Sequence, residues 1–449
     1  MDSLKQIVFD FKQVCRPQAR RLQCELMKEQ FLSSDELYAL NWKRRLALLR
    51  IAETAPFYKR RFQSIGMNVG DVKTEADYEK IPIVTRRDIQ ENQDDFIPRG
   101  VDKSKLAIAS TGGSTGEPLK LWRPKHLPYD VFAARMLSWW RISMADNSAY
   151  IFRHGYKGFG KLVNDLKWFP TQRVFLNAAQ MTDERCFRFY RHCCAIRPVL
   201  LVGYVGAIAQ FADFLEARNL DLPPSLRAVW TTSAPLPESL RSRLESIYRT
   251  PVYSQYGCCE MGHLAAECAE KRGLHIHSDW RHLEIVDLSG ANVAVGQAGR
   301  IVVTDMLARE TPLIRYELGD QGRLLSSHCA CGCRLPLLDT VKGRISDNLI
   351  LPDGSLISGE YLTTIFDECP EIVSNFRVVQ HENYSVEVLY VPQSCCSEDA
   401  LQVVRKHLQV LLRDQVPIEF GAVQKIEHNR GKMRFIETHV ESRKKADSA

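Results

Sequence analysis

The stretch ASTGGSTGEPLKLW, residues 109–122, places three glycines, two serines and two threonines between two apolar, strand-like runs. Ordering a glycine costs backbone entropy, so three together are expected where the chain turns tightly or approaches another group closely. An ordinary hairpin turn is the alternative, but it needs one or two glycines and uses none of the hydroxyls. Backbone amides and hydroxyls in such a loop can surround a polyanion. The stretch therefore predicts a phosphate-binding loop between two strands.

This loop differs from a P-loop, which has Lys and then Ser or Thr after its last glycine and continues into a helix. Here Gly116 is followed by Glu117 and Pro118, and residues 119–122 have the pattern of a strand. We therefore expect a phosphate loop that joins two strands rather than one that opens a helix.

The composition is that of a soluble globular protein with two or three domains. The chain has 449 residues, of which 45% are hydrophobic and 25% charged, and this length exceeds one ordinary core. Its 60 basic and 54 acidic residues nearly balance, which argues against a nucleic-acid partner. The most apolar long stretch, 199–215, is too short to span a bilayer. Because the N-terminus has no signal-peptide pattern, we expect a cytoplasmic protein.

The order of the predicted elements indicates an α/β fold, because strand and helix patterns alternate from residue 106 onward. Strands are predicted at 151–152, 199–202, 228–230, 252–253, 283–286 and 301–304, and helices at 205–218 and 238–249. Nearer the N-terminus, Ser33 and Glu36 have the spacing of a capping box, which opens a helix that Pro56 is expected to end.

After Lys342 the pattern changes to a compact α+β unit. A Pro-Asp-Gly turn at 352–354 follows an apolar run, and a helix, a strand at 384–390 and a helix at 398–413 come next. About a hundred residues is a normal size for a small domain. We therefore expect an α/β protein with a large multi-sheet N-terminal domain, 1–342, that has a β-rich part, and a small mobile α+β domain, 343–449.

Several segments, in order along the chain, resemble those of the adenylate-forming (ANL) superfamily, and more narrowly its phenylacetate:CoA ligase-like branch. The 110–118 loop resembles the phosphate loop of that family. The other segments are TAPFY at 54–58, YGCCE at 256–260, RYELGD at 315–320, GRISD at 343–347 and RGK at 430–432. A single match of this kind is weak, but the shared order over about residues 50–435 is specific.

The resemblance implies a two-step reaction. In this family a carboxylate attacks the α-phosphorus of ATP, which expels pyrophosphate and leaves an acyl-adenylate, and a thiol then takes the acyl group. Both reactants are anions, so fixed donors, cations and Mg²⁺ have to offset their repulsion. We therefore expect an AMP-forming acid–thiol ligase that uses ATP, Mg²⁺ and, as the favoured acceptor, CoA.

The resemblance also assigns the nucleotide-binding residues. Glu260 would hold Mg²⁺, and Asp320 would accept hydrogen bonds from the ribose hydroxyls. Tyr256 and Gly257 would line the adenine or acyl pocket. The residues that would bind the β- and γ-phosphates are Ser110, Thr111, Gly112, Gly113, Ser114, Thr115 and Gly116.

Three residues after position 342 complete the set implied by the resemblance. Lys432 carries a point charge on a long stem, which suits it to bridge the attacking carboxylate and the α-phosphate. Arg344 would contact the nucleotide, and Asp347 would be the hinge between two orientations of the small domain. Lys432, Glu260 and Arg344 are the expected catalytic residues.

Two departures from the family pattern affect the expected activity. Cys259 and Leu318 stand where the family usually has threonine, so two hydroxyls near the phosphates and Asp320 are missing. A non-catalytic relative that binds nucleotide therefore stays open. The acceptor could also be a carrier protein or an amine.

The acid substrate is also open. Aromatic or aryl-acetic acids are favoured by the resemblance, whereas fatty and amino acids are alternatives. Aromatic side chains often wall ligand pockets, although most aromatics belong to a core. The candidate lining residues are Phe152, His154, Tyr156, Phe159, Tyr204 and Trp230.

The chain has 14 cysteines, which in a reducing compartment are expected to be free thiols unless they bind metal. The pairs Cys268/His275 and Cys329/Cys331 supply soft ligands of the kind that bind zinc tetrahedrally. Some phenylacetate:CoA ligase-like relatives have such a pattern, so the resemblance assigns these four residues to a structural Zn²⁺ site. The alternative ligands are His263, His277, Cys333 and Cys258. Buried thiols beside a surface histidine are the other interpretation, and the near balance of charge opposes a nucleic-acid-binding zinc protein.

Overall fold

The computed structural model describes residues 2–110, 119–152, 158–339, 341, 349–353, 356–357, 362, 365, 372–393, 396–426 and 435–440. Helices and strands alternate over much of this part, which confirms the predicted α/β class. None of the helices described is long and apolar enough to cross a membrane.

The helices are α1 Asp2–Val14, α2 Pro17–Glu29, α3 Ser34–Ala52, α4 Pro56–Ser64, α5 Glu75–Glu79, α6 Arg86–Glu91, α7 Asp130–Trp139, α8 Gly158–Trp168, α9 Asp183–Ile196, α10 Val205–Glu216, α11 Glu238–Tyr248 and α12 Glu398–Leu411. The strands are β1 Leu106–Ser110, β2 Lys120–Pro124, β3 Ser148–Phe152, β4 Arg173–Asn177, β5 Leu200–Tyr204, β6 Ala228–Thr232, β7 Val252–Cys258, β8 Gly262–Glu267, β9 Leu274–Ile276, β10 Arg281–Val286, β11 Ala298–Asp305, β12 Leu313–Leu325, β13 Leu337–Leu338, β14 Leu349–Ile350, β15 Leu356–Ile357, β16 Val373–Gln380, β17 Val386–Pro392, β18 Ile418–Ala422 and β19 Ile436–Thr438.

The chain folds into two compact units, each built from two separate segments. The first contains Met1–Ala145 and Gln255–Val341, and the second contains Asp146–Ser254 and Lys342–Ala449. The chain enters the second unit for the last time at Lys342, beside the boundary expected from the sequence. A division into an adenylation domain, 1–342, and a mobile lid, 343–449, stays a prediction.

The first unit contains an antiparallel sheet. Its strands follow the order β10-β11-β12-β13-β9-β8, and the second half of β7 pairs with β8. In the same unit β1 and β2 form a separate antiparallel pair, with Ser110 opposite Lys120. The glycine-rich loop therefore joins two paired strands, as the sequence predicts.

One helix of the first unit, α3, begins where the sequence predicts. Ser33 caps α3, because its hydroxyl accepts from the Glu36 amide at 3.3 Å and the Glu36 carboxylate accepts from the Ser33 amide at 2.8 Å. This confirms the predicted capping box. Pro56 does not end α3, which stops at Ala52; it occupies the first turn of α4, where its missing amide hydrogen is not needed.

The second unit contains a parallel sheet with the order β4-β3-β5-β6, completed by the first half of β7. Its crossovers contain α8, α9, α10 and α11. Strand β5 is apolar and almost wholly buried, as is typical of a parallel strand covered on both faces. Numbered by sequence, this order is 2-1-3-4-5, so the direction in which successive strands are added to the sheet reverses between β3 and β5. Ligands in such folds bind outside the carboxyl ends of the strands at that point.

The C-terminal segment of the second unit forms a four-stranded sheet, β18-β17-β16-β19. Strands β16 and β17 are antiparallel, whereas β19 and β18 each join them in parallel. The apolar side chains of α12, including Leu401, Val404 and Leu408, are buried in the same core as this sheet and α10. This segment has the α+β composition that the sequence predicts.

Candidate functional site

The strand β7 ends in a turn that presents three of the predicted residues. Tyr256 and Gly257 lie at the end of β7, and Glu260 lies in the turn before β8. The pairing shifts by one residue between Tyr256 and Gly257, which is a local bulge. A Cβ on Gly257 would lie 2.5 Å from the carbonyl oxygen of Gly262 and 2.4 Å from Gln255 Nε2. Only glycine fits this bend, so the bulge depends on residue 257.

A hydrogen bond joins this turn to the second predicted motif. The Tyr256 hydroxyl donates to Asp320 Oδ2 at 2.7 Å. Asp320 lies in β12, directly after Gly319, whose positive φ of 79° re-aims the strand. Two segments that are 64 residues apart in sequence therefore meet through a bond between a hydroxyl and a carboxylate, which is the stronger class of hydrogen bond.

A second tyrosine makes the reciprocal contact. Tyr316, in β12, donates from its hydroxyl to Glu260 Oε1 at 3.3 Å. Its side chain is buried, and burial together with the nearby Glu260 carboxylate raises its pKa well above the ordinary value. The hydroxyl therefore keeps its proton at neutral pH and remains a donor. Each acidic residue of the predicted site thus accepts from a tyrosine of the other motif.

Two arginines hold the turn from its two sides. Arg123, in β2, donates to the carbonyl oxygen of Cys259 at 2.6 Å, and its guanidinium lies over the Tyr129 ring. Arg281 is fully buried and donates to the carbonyl oxygen of Met261 at 2.8 Å and to Asp305 at 2.6 Å. These donors fix the backbone on either side of Glu260.

Sequence reasoning missed Tyr316, Arg123 and Arg281. Tyr316 lies inside the quoted RYELGD segment, so its position could have been weighed there. The two arginines carry no local signal, because their contacts depend on strands that are far apart in the chain.

The four predicted metal ligands come together in the first unit. Cys268 follows β8, His275 lies in β9, and Cys329 and Cys331 lie in the turn after β12. One donor atom from each of these residues lies within 4.8 Å of the other three. The sulfur atoms of Cys268 and Cys329 are 3.5 Å apart, and Cys331 Sγ lies 3.3 Å from His275 Nε2.

The chemistry of this cluster fits a zinc ion. Tetrahedral bonds of about 2.3 Å to sulfur and about 2.0 Å to nitrogen place ligand atoms roughly 3.5–3.8 Å from one another. His275 is fully buried, and its Nδ1 lies 3.2 Å from the carbonyl oxygen of Leu335. An Nδ1–H donated to that carbonyl orients Nε2 toward the thiols, which is the usual second contact of a metal-binding histidine.

The alternative ligands lie outside the cluster of donor atoms. His277 accepts from Arg135 at 2.6 Å, and Arg135 also binds Asp279 at 2.6 Å. Burial and the neighbouring Arg135 hold the pKa of His277 well below its ordinary value, so it is a neutral acceptor. Cys333 instead donates its backbone amide to Cys331 Sγ at 3.4 Å.

Comparisons with known proteins extend over most of the chain. Residues 349–439 match the family model described as the CapK C-terminal domain. Protein CapK of Staphylococcus aureus is 22% identical over 407 residues, which cover 86% of this chain and 85% of that protein. The phenylacetate-coenzyme A ligase of Aromatoleum evansii is 26% identical over 328 residues, which cover 71% and 73% of the two chains.

A solved structure matches the fold. The crystal structure of 2-hydroxyisobutyryl-CoA ligase in the postadenylation state, in complex with R3-HIB-AMP, superposes with a TM-score of 0.74 at 19% identity. The match covers 92% of this chain and 91% of that one. These relatives and this structural match support the assignment to the adenylate-forming superfamily, and to its phenylacetate-CoA ligase-like branch. The comparisons agree with the family predicted from the ordered motifs, and the relatives named as CoA ligases agree with the prediction of an acid–thiol ligase.

Several residues expected in an adenylate-forming site lie outside the described residues. They are Thr111, Gly112, Gly113, Ser114, Thr115, Gly116, Arg344, Asp347 and Lys432, and the pocket candidates His154 and Tyr156. Ser110 is the last residue of β1. The roles of these residues in the adenylate-forming enzyme stay predictions.

The other pocket candidates divide into two groups. Phe152 and Tyr204 end β3 and β5, on either side of the reversal in the parallel sheet, and their rings meet edge to face at 5.0 Å. Trp230 is buried in the neighbouring strand β6. Phe159 instead lies on α8 and is 80% exposed to solvent.

Proposed function

We propose that this chain activates a carboxylic acid with MgATP to an acyl-adenylate and then transfers the acyl group to CoA. The pair of reciprocal tyrosine contacts, Tyr256 to Asp320 and Tyr316 to Glu260, carries the proposal. It brings together the two carboxylates that nucleotide activation needs, one to accept from the ribose and one to hold a cation. Both carboxylates are partly exposed, so a ligand can reach them.

In this proposal Asp320 accepts from the ribose hydroxyls, and Tyr256 fixes which carboxylate oxygen faces them. Glu260 would hold Mg²⁺, which when bound supplies positive charge beside the phosphates. The backbone amides and hydroxyls of 110–116 bind the β- and γ-phosphates, and Lys432 bridges the attacking carboxylate and the α-phosphate. All of these groups act by positioning and by charge, which is the main contribution in such displacements.

An aromatic or aryl-acetic acid is the favoured substrate. The rings of Phe152 and Tyr204 lie at the carboxyl ends of β3 and β5, where folds of this topology bind ligands. The aromatic ring of a substrate could pack against this edge-to-face pair at a similar spacing. Fatty and amino acids, and a carrier protein or amine in place of CoA, are the competing assignments.

The small C-terminal segment would turn about Asp347 between the two steps. Rotation would withdraw Lys432 after adenylation and let the thiol reach the acyl-adenylate. Such gating is common where one site serves two reactions.

Zinc would be held by Cys268, His275, Cys329 and Cys331. When bound, it supplies four coordinate bonds and no catalytic position, because the protein provides all four ligands. The turn that contains Cys329 and Cys331 is tied to the end of α2, since the Arg334 amide donates to the Gln30 carbonyl oxygen at 2.8 Å. Gln30 Oε1 in turn accepts from Trp139 Nε1 at 2.7 Å. The cluster would therefore fasten the first helices to the antiparallel sheet.

The test is carboxylate-dependent exchange of pyrophosphate into ATP over aryl, aryl-acetic, fatty and amino acids. Exchange with one class would establish adenylation and identify the acid, and Asp320→Asn should then abolish it while Asp287→Asn, in the turn between β10 and β11, should not. Formation of acyl-CoA in a second assay identifies the acceptor. ATP binding without exchange by any acid would favour the non-catalytic alternative, which the loss of two threonines at Cys259 and Leu318 supports.

A further inference from the structure

Arg123 lies on the strand that follows the segment proposed to bind the β- and γ-phosphates. Strand β2 begins at Lys120, which is paired with Ser110 at the end of β1. Arg123 comes three residues later, on the same face of β2 as Leu121, because alternate residues of a strand share a face. Leu121 is buried in the core of the first unit. The Arg123 side of β2 is therefore turned to the interior of that unit.

The Arg123 guanidinium binds the peptide group that leads into Glu260. Its Nη1 donates to the carbonyl oxygen of Cys259 at 2.6 Å. A peptide group is planar, so a donor that holds this oxygen also restrains the amide nitrogen and the Cα atom of Glu260. Charged donors make the stronger class of hydrogen bond. The main chain at Glu260 is therefore tied to β2.

An aromatic ring orients the guanidinium. Arg123 Cζ lies 4.3 Å from the centre of the Tyr129 ring, which is a cation–π contact. The same ring lies against the start of β8, because a Cβ at Gly262 would be 3.2 Å from Tyr129 Cδ1. The planar head of arginine can stack on a ring and donate a hydrogen bond at once, whereas lysine carries a point charge. Contacts of two different kinds thus hold the guanidinium in one orientation.

The other side of the turn between β7 and β8 is held by a different part of the unit. Arg281 donates to the carbonyl oxygen of Met261 at 2.8 Å and to Asp305 at 2.6 Å. Arg281 and Asp305 belong to β10 and β11. Arg281 therefore ties the turn to the antiparallel sheet, whereas Arg123 ties it to the β1–β2 pair. Loss of Arg123 should leave the turn attached to the sheet and release it from β2.

We propose that Arg123 is a positioning residue that sets the distance between Glu260 and the phosphate segment 110–116. This inference rests on the proposed function, in which Glu260 would hold Mg²⁺ and the segment would bind the β- and γ-phosphates. A cation that contacts both the carboxylate and those phosphates requires a fixed distance between their two attachments. AMP has neither phosphate, so its binding through Asp320 should not depend on Arg123.

The test compares the affinities of the full chain for ATP and for AMP. Each is measured by calorimetry with excess Mg²⁺ and without a carboxylic acid. We expect Arg123→Met to bind MgATP about tenfold more weakly, as for the loss of one hydrogen bond from a charged donor, and to bind AMP as the unchanged protein does. Arg123→Lys should recover part of the MgATP affinity, because it keeps the charge but not the planar head. This second variant carries the test if Arg123→Met fails to fold.

Arg61→Met is the matched control. Arg61 also donates to a carbonyl oxygen at 2.6 Å, that of Ile83, and its guanidinium also lies over an aromatic ring, that of Phe57. It belongs to α4 of the same unit and has no role in the proposed site. Both nucleotides should bind Arg61→Met as they bind the unchanged protein.

Three outcomes would overturn the inference. Equal losses of MgATP and AMP affinity in Arg123→Met would give Arg123 a general structural role, and unchanged MgATP affinity would show that the turn keeps its place without it. An unchanged protein that binds neither nucleotide would contradict the proposed function and this inference together. ATP binding without pyrophosphate exchange would contradict adenylation alone, and a selective loss of MgATP affinity in Arg123→Met would still support the positioning role.

Discussion

At the scale of single residues, the site depends on hydroxyl donors that are matched to carboxylates. Tyr316 is buried and protonated, so its role at Glu260 is to orient the carboxylate rather than to exchange a proton. Tyr256 does the same for Asp320. Each carboxylate is therefore held in one orientation before a ligand binds, which lowers the side-chain entropy lost on binding.

Tyr316→Phe should weaken the cation site without removing it. Loss of one hydrogen bond to a carboxylate costs about 1.5–3 kcal/mol, which corresponds to a roughly 10- to 150-fold weaker affinity for Mg²⁺. The distance of 3.3 Å between the Tyr316 hydroxyl and Glu260 Oε1 places the effect at the lower end of this range. We expect the Mg²⁺ concentration for half-maximal activity to rise about tenfold, with a smaller change in kcat. Tyr248→Phe is the control, because it removes a buried hydroxyl that donates to the Ile208 carbonyl oxygen at 2.7 Å elsewhere. Equal Mg²⁺ dependence in both variants would contradict the assigned role.

Gly257→Ala should destabilise the first unit. The added Cβ would approach the Gly262 carbonyl oxygen to 2.5 Å, and backbone cannot yield as a flexible side chain can. A cost of about 1–3 kcal/mol in the free energy of unfolding is expected, with loss of nucleotide binding as Tyr256 moves. Gly160→Ala is the matched control, because its Cβ would meet nothing within 4 Å and alanine favours the helix. Urea unfolding checks both, and a Gly257→Ala protein as stable as the unchanged chain would show that the bulge tolerates a side chain.

His282 should make the protein sensitive to acid. Burial and the cations Arg45 and Arg315 hold its pKa well below the ordinary value, and Arg45 lies 3.3 Å from Nε2. The unfolded chain binds a proton near pH 6.5 and the folded chain does not, so stability is full above pH 6.5 and falls below it, by up to about 1.4 kcal/mol per pH unit. His282→Gln should lose less stability than the unchanged protein between pH 7 and pH 5 in unfolding measurements. Parallel losses would mean that other groups dominate.

At the scale of elements, local patterns predicted the existence of helices and strands better than their ends. The predicted helix 238–249 is observed at Glu238–Tyr248, and the apolar run at 199–202 is the buried strand Leu200–Tyr204. Pro56 was misjudged because proline is compatible with the first turn of a new helix as well as with the end of an old one. Helix α8, Gly158–Trp168, was not among the predicted helices.

The metal cluster shows which parts of a site a sequence can reveal. Each ligand pair is close in sequence and was predicted, whereas the meeting of the pairs depends on the pairing of β9 with β8 and β13. Only the family resemblance linked them beforehand. The tie between the ligand turn and Gln30 could not be predicted, because a carbonyl at a helix end has no signature of its own.

Removal of one thiol should release both the metal and the first helices. Cys331→Ser is expected to reduce bound zinc from near one equivalent to a small fraction, because a neutral hydroxyl is a poor ligand. The ties of Gln30 to Arg334 and Trp139 should then loosen, and the segment between α2 and α3 should be cut faster by protease. Cys194→Ser, which changes an exposed thiol, should leave both readouts unaltered. Metal-free protein with unchanged protease resistance would end the zinc proposal.

At the scale of the whole molecule, the proposed reaction needs two arrangements of one active site, and Lys432 should belong to only one of them. Lys432→Ala should abolish the pyrophosphate exchange, because the bridge between the attacking carboxylate and the α-phosphate would be lost. The same variant should convert a supplied acyl-adenylate to acyl-CoA at close to the normal rate, since the thiol step takes place with that lysine withdrawn. Lys406→Ala, an exposed lysine on α12, controls for charge on the same segment and should affect neither step. Equal loss of both steps in Lys432→Ala would mean that the lysine acts in both steps from one position. The proposed rotation about Asp347 would then be wrong, whereas the proposed adenylation would be unaffected.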